Sequence, residues 1–121
     1  FADQKKFMRA CDQTTDGTLD EKQFALYRNL IAEEVGELND AIENNDRVEQ
    51  LDALIDILVV TIGAIHSMGA DSEGAWKEVL QTNLAKIDTK TGKVIKRKDG
   101  KVLKPKGWRA PNLAPFLENQ N

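Results

Sequence analysis

Apolar residues recur every three or four positions in four separate blocks of the chain, the spacing of helices rather than strands. The first block predicts a short amphipathic helix from Asp3 to about Cys11, carrying Phe7 and Met8 and stopping at the turn-rich stretch Thr14–Gly17. Asp20 then stands where an N-cap should, ahead of a long helix running to about Asn44 and closed by Asn44-Asn45-Asp46. Asp46 caps a third helix that reaches about Met68 and ends at Gly69. Asp71, followed by Glu73 and Glu78, opens a fourth holding Trp76, Val79, Leu80 and Leu84. Beyond Asp88 the period changes. GKVIKRKDGKVLKP contains two short alternating stretches around Asp99-Gly100, which predict a small β-hairpin. The Pro-containing end, GWRAPNLAPFL, is expected to be extended, and its Trp108, Leu113, Phe116 and Leu117 need a surface to pack on. There is no internal repeat and no low-complexity segment. The expectation is an all-α, four-helix bundle-like domain over 1–121, with a helical core at about 3–87 and a short C-terminal hairpin and extended tail at 88–121.

Within that pattern Glu34 is misplaced. On a helical wheel Tyr27, Leu38, Ile31, Ala41 and Leu30 all fall within about 60° of it, so it lies on the centreline of an apolar face. Glu37 sits at the edge of that face and Glu33 further out. A carboxylate drawn into apolar surroundings costs several kcal/mol unless something pairs with it. The third helix repeats the anomaly, because Glu49, Asp52 and Asp56 share a stripe that Val60 and Gly63 continue. Leu51, Leu54, Ile55, Leu58 and Ile62 cover the opposite side, and the second half of this helix is apolar all round, the mark of a helix buried on most sides. Two helices therefore point acids into the interior: Glu34 and Glu37 from one, Asp52 and Asp56 from the other, with Glu49 above them. Like charges in a core resist ionisation unless a cation joins them, and an all-oxygen set suits Mg²⁺, with Mn²⁺ as an alternative. The bland reading, solvated helix faces with surface ion pairs, suffices for Glu33, Glu43 or Asp46 alone but not for Glu34 with Asp56. A di-iron bundle would want Glu-x-x-His pairs. The single histidine, His66, has Gly63 three residues before it and reads as a packed polar side chain.

Composition narrows the class. At 121 residues there is room for one core, and few aromatics among many Leu, Ile, Val and Ala favour helices. The lone Cys11 excludes an internal disulfide framework and points to a reducing compartment, the cytoplasm. The longest apolar run, Ile57–Ile65, is far too short to cross a bilayer, so no membrane partner is expected. A chain that opens on Phe1 is expected to have been trimmed at its N-terminus. The net charge of −3 conceals an asymmetry: residues 1–85 carry 7 Lys/Arg against 17 Asp/Glu, while 86–121 carry 10 against 3. The basic tail can fold back on the body, meet a neighbouring subunit, or hold an anion. A nucleic acid polymer is not expected, because Trp108 is the one aromatic among the cations. Asp12–Gln23 resembles a calcium loop, yet Thr14 stands at its third position and Gln23 where the bidentate Glu belongs. A turn with an N-cap is the better reading, and a calcium-binding or purely structural helical module remains the non-enzymatic alternative.

With these pieces in order, the chain resembles the all-α nucleoside triphosphate pyrophosphohydrolases, the superfamily of MazG, the dimeric dUTPases and phosphoribosyl-ATP pyrophosphohydrolase. The likeness rests on Glu34-Val-Gly-Glu37 in its LIAEEVGEL setting, the acids ahead of DILVVTIGA, and Asn83-Leu-Ala-Lys86 followed by GKVIKRKDGKVLKPKGWRAPNL, which is similar to the C-terminal signature of short MazG-like members. It covers roughly residues 20–113. Many members carry an acid three residues before the position of Asp56; here that residue is Ala53, so Asp52 or Glu49 must supply the missing carboxylate. The resemblance implies metal-dependent hydrolysis of a nucleoside triphosphate to the monophosphate and pyrophosphate, with Mg²⁺ on Glu34, Glu37, Asp56 and Asp52 or Glu49. Glu33 becomes the candidate to orient or deprotonate water, or to hold a further ion. Asn83 and Lys86, a helical turn apart, and Lys104 and Trp108 on the tail become candidate substrate contacts. For Lys86, a helix C-terminal cation offsetting the macrodipole is the ordinary alternative. The apolar third helix would leave surface uncovered, so a homodimer or dimer of dimers is expected, as the resemblance also implies.

Overall fold

A computed structural model describes residues 1–117 of the chain. It contains four α-helices: α1 (Ala2–Ala10), α2 (Glu21–Glu43), α3 (Arg47–Ser67) and α4 (Ser72–Leu84), followed by a single 3₁₀ turn at Ala114–Leu117. Three aspartates start the last three helices. Asp20, Asp46 and Asp71 each accept the backbone N–H of the residue three further on, Gln23, Glu49 and Gly74, at 3.0–3.1 Å. The α2–α3 turn closes with Asn45 in the left-handed region (φ +53°), and α3 ends at Gly69 (φ +70°). Gly69 is required there, because a Cβ would run into the carbonyl of Gly17 in the loop that precedes α2.

α2 and α3 form the central hairpin, and α1 and α4 lean on α3. Small residues let the two long helices close up: Ala41 on α2 and Ala53 and Ala64 on α3 are buried, and Gly63 lies directly against the Tyr27 ring. Met8, Tyr27 and Ala64 make the core, with Phe24, Leu30, Ile31 and Val60 around them. Tyr27 is satisfied by donating its hydroxyl to Gln13 Oε1 at 2.6 Å.

The Asp12–Gln23 stretch is held by protein groups rather than built for an ion. Gln23 is buried; its Nε2 donates to the Thr14 carbonyl (2.7 Å) and Ser67 Oγ (2.8 Å), and its Oε1 accepts the Thr14 N–H (2.9 Å). Asp16 is engaged by Lys5 and Arg9 of α1. The turn-and-cap reading therefore describes this segment.

Two expectations change. The hairpin is rudimentary: one isolated antiparallel bridge, Lys96 to Val102, spans the Asp99-Gly100 turn, another, Ile87 to Val94, closes the turn before it, and no strand forms among the described residues. Two bridges without an apolar face to cover cannot sustain a ladder. Nor is α3 enclosed along its whole second half. Gly63, Ala64, His66 and Ser67 are buried and Leu58 lies open, while most of the uncovered apolar surface, Val48 (77% exposed), Leu51 (63%), Leu54 and Ile55, is in the first half. α4 explains this: its axis turns through 116° from that of α3, so it covers only the C-terminal end. Among the described residues no single helix is long and apolar enough to cross a membrane.

The tail does find a surface, returning along α4. Trp108 Nε1 donates to the Thr82 carbonyl near the C-terminal end of α4 at 2.7 Å. At the other end the Phe116 carbonyl accepts the Asp71 N–H at 2.9 Å, and the Phe116 ring packs on Gly74. The last four positions of the expected tail, 118–121, lie outside the described residues.

Candidate functional site

The seam between α2 and α3 carries the acids. Tyr27, Glu34 and Ala41 are spaced by seven and share one line of α2; the outer two are buried, so Glu34 is carried against α3 with them. Its Oε2 is buried and has no hydrogen-bond partner. Burial, first, and then the neighbouring Glu37 carboxyl, with smaller effects from Asp56 and Glu33, push the Glu34 pKa up to about 7. On α3, Asp56 is half-buried, and its pKa is raised by burial, by the charge and hydrogen bonding of Asp52 one turn before it, and by Glu37 across the seam. Four of the sequence candidates thus bear on one another as two pairs, Glu34 with Glu37 and Asp52 with Asp56, but only Glu34 and Asp56 are drawn inward: Glu37, Asp52 and Glu49, expected to point into the interior, are exposed, because they sit toward the edges of their helix faces.

The remaining acids sit differently. Glu33 is exposed beside Glu34. Glu49 lies in the first turn of α3, where its N–H is capped by Asp46, and it takes no part in shifting Glu34 or Asp56. None of these six acids has an ion-pair partner among the described residues. His66 is remote from them in role: it is fully buried, its Nε2 is 3.0 Å from the Phe1 carbonyl, and burial lowers its pKa. It is a packed neutral side chain.

As placed, the carboxylates do not already form an ion cage: no group of three or more His, Cys, Asp or Glu side chains is so arranged among the described residues. The donor set nevertheless fits a hard cation. An orphaned buried carboxylate oxygen and two carboxyls that resist ionisation are both relieved by a divalent ion, which supplies the missing positive charge and takes oxygen ligands.

The other candidates meet elsewhere. Lys86 Nζ donates to Asn83 Oδ1 at 3.2 Å and stands 5.1 Å from the centroid of the Trp108 ring, as does Lys104 Nζ. Asn83, Lys86, Lys104 and Trp108 are therefore one cluster at the junction of α4 and the tail. α4 packs on α3 and not on α2, so this cluster lies apart from Glu34. Two further cations at this junction, Lys106 and Arg109, line a cavity beside Trp108. Periodicity could not single them out; the charge excess of the tail was their only signal.

The fold is thus an all-helical domain whose central hairpin carries acids on both of its helices. The sequence says which family this is. A family model described as phosphoribosyl-ATP pyrophosphohydrolase matches residues 4–83, which span α1 to Asn83 in α4. The chain belongs to that family, within the MazG-like nucleoside triphosphate pyrophosphohydrolase superfamily, and is a pyrophosphohydrolase of the MazG-like fold. The match ends before the tail. No curated protein matches the chain.

Proposed function

We propose that the protein is a metal-dependent nucleoside triphosphate pyrophosphohydrolase, converting a (d)NTP and water to the (d)NMP and pyrophosphate, with clearance of noncanonical nucleotides as its use. The observation that carries this reading is Glu34, half-buried at the seam with its Oε2 buried and unpartnered, and pushed toward neutrality first by burial and then by Glu37 and Asp56. Glu34, Glu37, Asp52 and Asp56 would hold Mg²⁺ or Mn²⁺. Asp52 is preferred to Glu49 as the replacement for the acid absent at Ala53, because it is Asp52 that bears on Asp56. When bound, the metal neutralises phosphate charge and favours cleavage of the anhydride between the α and β phosphates. Glu33, exposed next to Glu34, would orient or deprotonate the attacking water. Asn83, Lys86, Lys104 and Trp108 would contact substrate, and their separation from α2 means that a second subunit brings them to the seam. The open apolar face of α3 supports a homodimer or dimer of dimers for the same reason.

The experiment is pyrophosphate release from a panel of canonical and modified (d)NTPs and phosphoribosyl-ATP, with Mg²⁺, with Mn²⁺ and with EDTA, beside Glu34→Gln. Metal-dependent release lost in Glu34→Gln supports the reading, and the panel names the substrate. Release only from phosphoribosyl-ATP keeps the site and replaces the substrate. Release that survives Glu34→Gln overturns the site.

A further inference from the structure

His66, the one histidine of the chain, is fully buried near the C-terminal end of α3. Its Nε2 lies 3.0 Å from the Phe1 carbonyl, an oxygen that can only accept, so Nε2 carries the proton and Nδ1 the lone pair. Nδ1 is also buried, with no hydrogen-bond partner among the described residues. Phe1 stands at the N-cap of α1, and its ring meets the imidazole edge-on at 6.2 Å between centroids and Trp76 of α4 at the same distance. One neutral imidazole therefore ties the start of α1 to α3 and α4. A second proton has no place in this packing. On Nδ1 it would put an N–H and a positive charge into a buried position without an acceptor. Nor do the groups facing the ring supply one. From α1, Lys5 and the Phe1 amino group are positive and oppose the charge; from the loop before α2, Asp16 favours it but is already held by Lys5 and Arg9; α4 presents the neutral Trp76 ring.

We infer that His66 is an acid-operated latch on α1: protonation of the ring breaks its hold on Phe1 and lets α1 lift from α3. α1 is the part that can yield. It is nine residues long and buries one of them, Met8, whereas His66 belongs to the central hairpin. Lifting α1 withdraws Met8 from Tyr27 and Ala64, and Gln13, just beyond α1, from the Tyr27 hydroxyl. Tyr27 shares its line of α2 with Glu34, so the latch reaches the seam as well. The sign follows from burial, which lowers the pKa of the docked ring. A lifted ring takes its proton below the ordinary value of 6.5 and the docked ring only at lower pH, so docking is complete above that value and weakens as pH falls below it. Glu34 acts in the opposite sense, because its pKa is raised.

The test is amide hydrogen exchange by NMR on the full chain in EDTA, from about pH 7.5 to about pH 5, with the ring signals of His66 followed in the same samples. Relative to free-peptide rates, protection of the α1 amides is expected to fall by up to about tenfold per pH unit below 6.5, the slope of one proton taken up on opening, while α4 and the centre of the α2–α3 hairpin keep theirs. His66→Gln offers an amide N–H to Phe1 but takes no proton, and should hold α1 protection level across the range. Protection of α1 that is indifferent to pH overturns the inference, as does the same pH dependence in His66→Gln. Loss of protection in all four helices together would make the ring a determinant of global stability alone, and also overturns it. So does a ring that titrates at its ordinary value while α1 stays protected. That last comparison needs only the parent chain, and it decides the matter if His66→Gln does not fold.

Discussion

Gly63→Ala tests the packing that sets the distance between the two acid-bearing helices. A Cβ at Gly63 would overlap the Tyr27 ring, 2.5 Å from Cδ1 and 2.7 Å from Cζ, well inside contact. In an exposed helix the change would stabilise by about 1 kcal/mol, since alanine restricts the unfolded chain. Here Tyr27 is 5% exposed and cannot swing clear without giving up its hydrogen bond to Gln13, worth about 1 kcal/mol. Forcing the helices apart instead costs about 1–3 kcal/mol as overpacking, and ring burial partly lost adds about 1–2 kcal/mol. The net expectation is a destabilisation of about 1–4 kcal/mol, read as a lowered urea midpoint at unchanged slope. Pyrophosphate release should fall with it, because Tyr27 and Glu34 lie on the same line of α2. Adding Tyr27→Leu, which vacates the ring position, should recover part of the loss, giving a coupling of about 1 kcal/mol or more between the two sites. Gly36→Ala is the control. Nothing lies within 4 Å of its Cβ position, so it should raise stability by about 0.5–1 kcal/mol. A Gly63→Ala protein as stable as the parent would refute the close seam.

Three further outcomes follow from other groups. Gln23→Ala removes a buried amide bonded to Thr14 and Ser67 and should cost about 2–3 kcal/mol in chemical denaturation, with calcium unable to restore it in either protein. Glu34 holds its proton up to about pH 7 in the fold against an ordinary value of 4.5. In EDTA its contribution to stability therefore declines as pH rises from about 4.5 through 7, a slope reduced in Glu34→Gln, where the raised Asp56 remains. Parallel melting curves for the two proteins across that window would contradict this, and Mg²⁺ at pH 8 should raise the midpoint of the parent alone. Asp16, held down to about pKa 2 chiefly by Lys5, with help from Thr15 and Arg9, contributes stability above its usual 3.8 that is lost as pH falls toward 2. Because its side chain is 58% exposed, Asp16→Asn should cost only about 0.5–1 kcal/mol at neutral pH and flatten the acid limb of the stability profile.

The helices were legible because their starts are chemical. Asp20, Asp46 and Asp71 cap where capping residues precede periodic apolar runs, and those three helices begin within a residue of expectation. Glu34 was legible for a related reason: at a spacing of seven from Tyr27 and Ala41 it could not avoid the α3 side. The course of the tail was not. Trp108 docks through one indole N–H on a carbonyl 26 residues back, and a single nonlocal hydrogen bond leaves no period in a sequence. That the third helix would leave apolar surface open was legible, as Leu51 and Leu58 show; what covers it was not, since an apolar position says that a residue should be covered, not by which chain.

That last distinction bears on how the site works. α3 carries Asp52 and Asp56 and, on other faces of the same turns, the open Leu51, Leu54, Ile55 and Leu58. A rigid helix cannot move one set without the other. On the proposed homodimer, seating the apolar face against a second copy would fix the rotation of α3 and hence the angle at which Asp52 and Asp56 meet Glu34 and Glu37. It would also exclude water from the rim of the seam, which deepens the burial that already opposes ionisation of Glu34. A divalent cation would then gain more from the site in the assembled protein than in the protomer. Assembly and metal affinity are thermodynamically linked in such an arrangement, each strengthening the other by the same factor.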